Sequence, residues 1–156
     1  MKYEFEDRPF GHKLVELGEK ISNLVVVDAD LQRATETYFF KEKFPNNKLV
    51  VLFQPHRYSR TQHCWHEFTT CFTQADEVIL TDIYAAGESP VPGVSSEILA
   101  GELKHSHAQY LPKDAELAQK ISSQLKSGDI FLTLGAGDGW KVGMEVLGLC
   151  SEIKTN

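Results

Sequence analysis

A single doubly wound α/β domain, Rossmann-like, with a mainly parallel sheet and helices on both faces, is the architecture this sequence predicts. Two observations carry the expectation. The strand candidates are short, solid apolar runs rather than alternating ones: LVVVD (24–28), KLVVLF (48–53), EVILT (77–81) and DIFLTL (129–134). Continuous apolar strands are buried on both faces, as parallel sheets require. Between them the apolar spacing lengthens towards 3.6 residues, so strands and helices alternate as in βαβ units. No repeat, low-complexity tract or interdomain linker interrupts residues 1–156.

Phe10, Leu14, Leu17 and Ile21 form a helical stripe opened by Pro9, whose fixed φ suits a first turn. After strand 24–28, residues 34–43 are expected to be helical, with Tyr38, Phe39 and Phe40 supplying bulk. Pro45, Asn46 and Asn47 then turn the chain into strand 48–53. The clearest helical face follows, with Cys64, Trp65, Phe68, Cys71, Phe72 and Ala75 at i, i+1, i+4, i+7, i+8 and i+11. Beyond strand 77–81, DIYAAGESPVPGVS is too rich in Gly and Pro to be regular. A helix from about Ser95 to Lys104 leads to a short AQYL strand, and Asp114 caps a helix carrying Leu117, Ala118, Ile121 and Leu125. GAGDG turns the chain after strand 129–134, and a short helix runs through Val142, Val146 and Leu147.

Composition is that of an ordinary globular protein, with 42% hydrophobic and 24% charged residues. A net charge of −6 argues against a general nucleic-acid surface or an anionic-membrane face. The longest apolar run is a strand's length, far short of the ~20 residues that cross a bilayer. MKYEFEDRPF is too acidic and polar for a secretory signal. Cys64, Cys71 and Cys150 show no CxxC spacing, which fits free thiols and a cytoplasmic location.

Parallel strands end on one rim, and ligands of such sheets lie along it. Here the segments leaving the strands hold Asp28 and Asp30, then Gln54, His56, Arg57 and Arg60, then Asp82 and Tyr84, and finally Gly135, Gly137 and Asp138. The stretch FQPHRYSRT (53–61) is the densest, placing an imidazole and two guanidinium groups directly after a buried strand. Burying such groups together is costly. They therefore pair with Asp28, Asp30, Asp82 or Asp138 in a structural network, or they meet a small anion at a binding edge. The residues alone leave both readings open. A guanidinium fork suits carboxylate or phosphate, and His56 can add a donor whose charge is adjustable near neutral pH. No nucleophile–base spacing is legible, so no catalytic residue is assigned.

LFQPHRYSRT (52–61), ADEVILTDIYAAGE (75–88) with PGVSSE after it, and GDIFLTLGAGDGWKVG (128–143) occur in the order found in the C-terminal domain of the Mur ligases. From about residue 48 to 147 the chain resembles that domain, most closely in the L-alanine-adding members. The resemblance implies a module that closes over two other domains in an ATP- and Mg²⁺-dependent ligase of peptidoglycan precursor synthesis. The reaction joins L-alanine to a sugar-nucleotide carboxylate through an acyl phosphate. By residue matching it places His56, Arg57 and Arg60 on the incoming amino acid's carboxylate, with Asp28, Asp82, Tyr84 and Asp138 as further rim candidates.

The family's DDYxHHPxE segment has no counterpart in VVVDADLQRATE, where only an aspartate such as Asp28 could correspond. Residues 8–45 instead resemble the start of the pyrimidine-binding domain of transketolases, with the change near Asn46–Lys48, inside one βαβ unit. Natural shuffling seldom cuts there, because neither half has a complete core. The pair of resemblances implies an engineered chimera, with residues 1–47 transketolase-like and 48–150 ligase-like, and no turnover of its own. The alternative is a natural ligase fragment that needs its other domains.

No GxxxxGK[ST] occurs in the sequence, so no nucleotide or metal cofactor is expected on this chain itself. The GDG at 137–139 spells the opening of a thiamine diphosphate motif, but reads as a coincidence within a turn. Asp138 would repel a phosphate from GAGDG. His63, Cys64 and His66 lack the common facing needed for a metal, and His105 and His107 read as helix-end or solvent groups. Glu97 reads as helix-start electrostatics. The expected partners are a small anion or amino-acid carboxylate and, through mismatched packing of Phe39, Phe40 and Phe44 against Trp65 and Phe72, a second copy of the chain. Neither nucleic acid nor membrane is expected.

Overall fold

All five residues of LVVLF (49–53) are buried, and they form the central strand because both of their faces meet apolar layers. The computed structural model describes residues 9–20, 43–44, 46–126 and 128–152. In chain order these form α1 (Pro9–Lys20), β1 (Leu49–Phe53), α2 (Tyr58–His63), α3 (Trp65–Phe68), β2 (Glu77–Leu80) and α4 (Ser96–Glu102). Then come β3 (Ala108–Tyr110), α5 (Leu117–Ser122), β4 (Ile130–Leu134) and α6 (Gly139–Glu152). The strand expected at 24–28 and most of the helix at 34–43 lie outside the described residues, and with them Asp28, Asp30, Tyr38, Phe39 and Phe40.

The four described strands run parallel in the order β3-β2-β1-β4. Val51 stands opposite Val78 on one side and Leu132 on the other. Alternation along each strand divides the apolar residues between two layers. Val51, Phe53, Val78, Leu80 and Leu132 meet Leu14 of α1, Phe72, and Leu99 of α4. Val50, Leu52, Ile79 and Phe131 meet Leu117 and Ile121 of α5 and Val142 and Val146 of α6. Each such buried side chain contributes about 1.5–3 kcal/mol relative to exposure. Helices therefore cover both faces, as expected. Phe44 and Trp65 pack against the first layer and Phe72 lies within it.

The helix expected over 64–75 is broken. One turn ends at Cys64 (φ −95°, ψ 19°), α3 lasts four residues, and turns follow to residue 74. The Thr69 and Thr70 hydroxyls donate back to the carbonyls of His66 and Glu67, at 2.7 and 3.2 Å. The Thr69 carbonyl accepts from the N–H of Lys104 at 2.8 Å instead of from its own next turn. Hydroxyl side chains and a tertiary contact thus outcompete the helical ladder, while the apolar periodicity is kept by Phe68 and Phe72. The last helix is longer than expected, at 14 residues. Ser95 caps α4, accepting from the N–H of Ile98 at 3.2 Å. Asp114 accepts from the N–H of Glu116 at 2.9 Å, just ahead of α5.

The layers locate the crevice. The connections from β1 to β2 and from β2 to β3 bury Phe72 and Leu99 on one face. Residues Leu117, Ile121, Val142 and Val146 after β3 and β4 lie on the other. Chains leaving the neighbours β1 and β4 therefore part to opposite faces, which opens a crevice between their carboxyl ends.

Candidate functional site

Gln54 fills that crevice. It is 1% exposed, its N–H donates to the Leu134 carbonyl at 2.9 Å, and its side chain bridges to the loop after β4. Gln54 Oε1 accepts from the N–H of Gly139 at 2.9 Å, and Nε2 donates to Asp138 Oδ1 at 3.1 Å. The first amide of α6 is thus satisfied internally and flanked by a carboxylate, so the GAGDG loop does not fit a phosphate group. Gly137 permits the close approach: a Cβ there would lie 2.6 Å from Tyr84 Cγ and 2.7 Å from Gln54 Oε1.

Beyond Gln54 the chains leaving β1 and β2 stay paired. His56 and Tyr84 form a parallel bridge, with the Arg57 N–H donating to the Tyr84 carbonyl and the Tyr84 N–H to the Pro55 carbonyl, both at 2.8 Å. Their rings stack with centroids 5.6 Å apart and planes 10° apart. Ala86 and Gly87, both at positive φ, reverse the loop after β2 and bring Glu88 to the start of α2. There the Ser59 hydroxyl and N–H donate to Glu88 Oε1 and Oε2 at 2.6 and 2.9 Å. These bonds, with the field of Arg57, hold the Glu88 carboxyl below its ordinary value.

The expected rim residues are therefore brought together in part. His56 is half-buried, Arg57 and Arg60 are exposed, and Tyr84 is 38% exposed. Among the described residues no carboxylate pairs with Arg57 or Arg60. The neighbouring acids are engaged elsewhere. Asp82 accepts from the Tyr110 hydroxyl and, at 2.9 Å, from the N–H of Lys113. Asp138 pairs with the Lys113 ammonium as well as Gln54, and both lower its carboxyl below the usual range, Lys113 most. Asp82 likewise pushes Tyr110 up to about 12. Asp82 and Asp138 thus take Tyr110 and Lys113 as donors rather than the cations of 56–60, while Asp28 and Asp30 lie outside the described residues. Asp82 and Asp138 brace the rim.

Elsewhere, His63 and His66 are exposed and Cys64 is half-buried. No group of three His, Cys, Asp or Glu among the described residues is placed to hold a metal. His105 bonds the Ala75 carbonyl at 3.0 Å, tying two loops together rather than capping its own helix. No helix among the described residues is long and apolar enough to cross a membrane.

Fold and rim together define a Rossmann-like α/β domain presenting, beside its strand ends, two guanidinium groups with no carboxylate partner among the described residues. Residues 31–137 match the family model described as Mur ligase, glutamate ligase domain, and the chain belongs to that family. It is similar to UDP-N-acetylmuramate–L-alanine ligases. That of Bdellovibrio bacteriovorus is 57% identical over 150 residues, covering 94% of this chain and 32% of the relative. Those of Desulfotalea psychrophila and Geobacter sulfurreducens are 49% and 45% identical over 115 and 118 residues, each covering 25% of the relative. The chain thus spans about a third or less of the length of these curated relatives. The Bdellovibrio match and the family match both run through residues 46–48.

Proposed function

We propose that this chain is the amino-acid-receiving domain of an amide-forming ligase, and that His56, Arg57 and Arg60 hold the carboxylate of incoming L-alanine. The observation that carries this reading is the pair of rim guanidinium groups with no acid partner among the described residues, beside acids already occupied by Lys113 and Tyr110. A carboxylate docked there replaces water with charge-assisted hydrogen bonds and leaves the α-amine free to attack an activated carboxyl carbon. ATP with Mg²⁺ supplies that activation in ligases of this kind, through segments other than the residues present here. This chain's own part is to bind and orient.

One origin accounts for the whole sequence better than two. A natural ligase aligned over 94% of the chain includes residues on both sides of Asn46–Lys48. The transketolase-like start of residues 8–45 then reads as divergence within a ligase, and the chain as a ligase segment that acts with its other domains rather than as a chimera.

Titration of the ¹⁵N-labelled chain with millimolar L-alanine, ATP and inorganic phosphate tests the reading. Saturable shifts from L-alanine are expected at residues 54–61 and 82–88, and are lost in Arg57→Ala and Arg60→Ala. No shift in these loops at millimolar L-alanine would sink it.

A further inference from the structure

Arg57 sits at φ 66°, ψ 141°, backbone territory that side chains bearing a Cβ avoid. It is held there from both sides. Its N–H donates to the Tyr84 carbonyl at 2.8 Å, while its carbonyl accepts from the Thr61 N–H at 3.0 Å and the Thr61 hydroxyl at 2.7 Å. Thr61 is 0% exposed, so its hydroxyl has no water to turn to and the carbonyl is clamped by two donors from one buried residue. On the other flank the Glu88 carboxylate grips Ser59, two residues along.

Strain of this kind persists only where the surroundings over-determine it, and it gathers where the direction of a side chain matters. Glycine would sit at this position freely. The Arg57 guanidinium meets no carboxylate among the described residues, so among them the strained conformation serves no ion pair.

We propose that Thr61 is a positioning residue: its buried hydroxyl locks the Arg57 carbonyl and thereby aims the Arg57 guanidinium at the anion held on the rim. The inference rests on the carboxylate-binding reading above and adds the device that orients its main donor. Thr61 itself touches no ligand. Its partner is four residues back, at the turn between strand and helix, where a local hydrogen bond decides the path of the chain.

The test compares Thr61→Val, which keeps the shape and removes the hydroxyl, with Thr61→Ser, which restores it. The L-alanine dissociation constant is read from the NMR shifts of the folded proteins. Thr61→Val is expected to weaken L-alanine roughly fivefold, the equivalent of one ordinary hydrogen bond, and Thr61→Ser to bind like wild type. In parallel, Arg57→Gly is expected to melt above Arg57→Ala, reversing the usual order of those two residues. A Thr61→Val protein that binds like wild type overturns the proposal. Equal loss in both Thr61 variants assigns the residue to packing and overturns it too, and Arg57→Gly melting below Arg57→Ala removes the strain it depends on. Failure of the wild type to bind L-alanine is a separate result that overturns the carboxylate reading itself.

Discussion

Gln54 decides how the rim is built, because one buried amide satisfies both the start of α6 and the Asp138 carboxylate. Gly137 must remain small for that contact. Gly137→Ala places a methyl against the Tyr84 ring and Gln54 Oε1, and is expected to destabilise the fold by about 1–3 kcal/mol in chemical denaturation. Because the Tyr84 ring stacks on that of His56, the His56 NMR signals should shift in the same variant. Asp138 provides a pH signature. Its folded-state pKa is depressed, chiefly by Lys113, so its stabilisation is present above the ordinary aspartate value and lost as pH falls through the depressed one. The gap in melting temperature between wild type and Asp138→Asn should be widest near neutrality and close as pH falls through the depressed Asp138 value. The cationic cluster was legible in the sequence because His56, Arg57 and Arg60 lie within five residues after an unmistakable strand. The acids' real partners were not. Lys113 lies 25 residues from Asp138, and Glu88 lies 29 from Ser59, so only the folded sheet brings them together.

The β1, β2 and β4 strands follow from their solid apolar runs, since both faces of the sheet are covered and alternation has no solvent side to mark. Phe131 is fully buried at the centre of one layer, and Phe131→Ala should cost about 3–5 kcal/mol in urea unfolding. Thr81 is the exception at the end of β2: its hydroxyl is buried with no partner among the described residues. Thr81→Val is therefore expected to be neutral or to stabilise by up to about 1 kcal/mol, where loss of a satisfied hydroxyl would destabilise. The break between α2 and the turns after α3 escaped the periodicity because side chains can keep a helical stripe while the backbone abandons its ladder. Thr69 and Thr70 were the local cue, but the Lys104 N–H that draws on the Thr69 carbonyl was not visible in the order of residues.

At the scale of the molecule, the parting of the chains after β1 and β4 sets the crevice, Gln54 closes its floor, and the cations stand on its lip. That arrangement could be anticipated, since a parallel sheet sends all its strand ends to one side. The relation of residues 8–45 to the ligases was not legible in their motifs, whereas a relative 57% identical aligns over 94% of the chain. The decisive measurement is made in the Bdellovibrio ligase with its matching segment replaced by this chain, following ADP release in the presence of UDP-N-acetylmuramate and ATP while L-alanine is varied. The hybrid should turn over, and Arg57→Ala or Arg60→Ala should raise the KM for L-alanine by at least about tenfold, the loss of one charge-assisted contact, with the KM for ATP unchanged. An active hybrid in which neither substitution moves the KM for L-alanine would contradict carboxylate recognition by this rim.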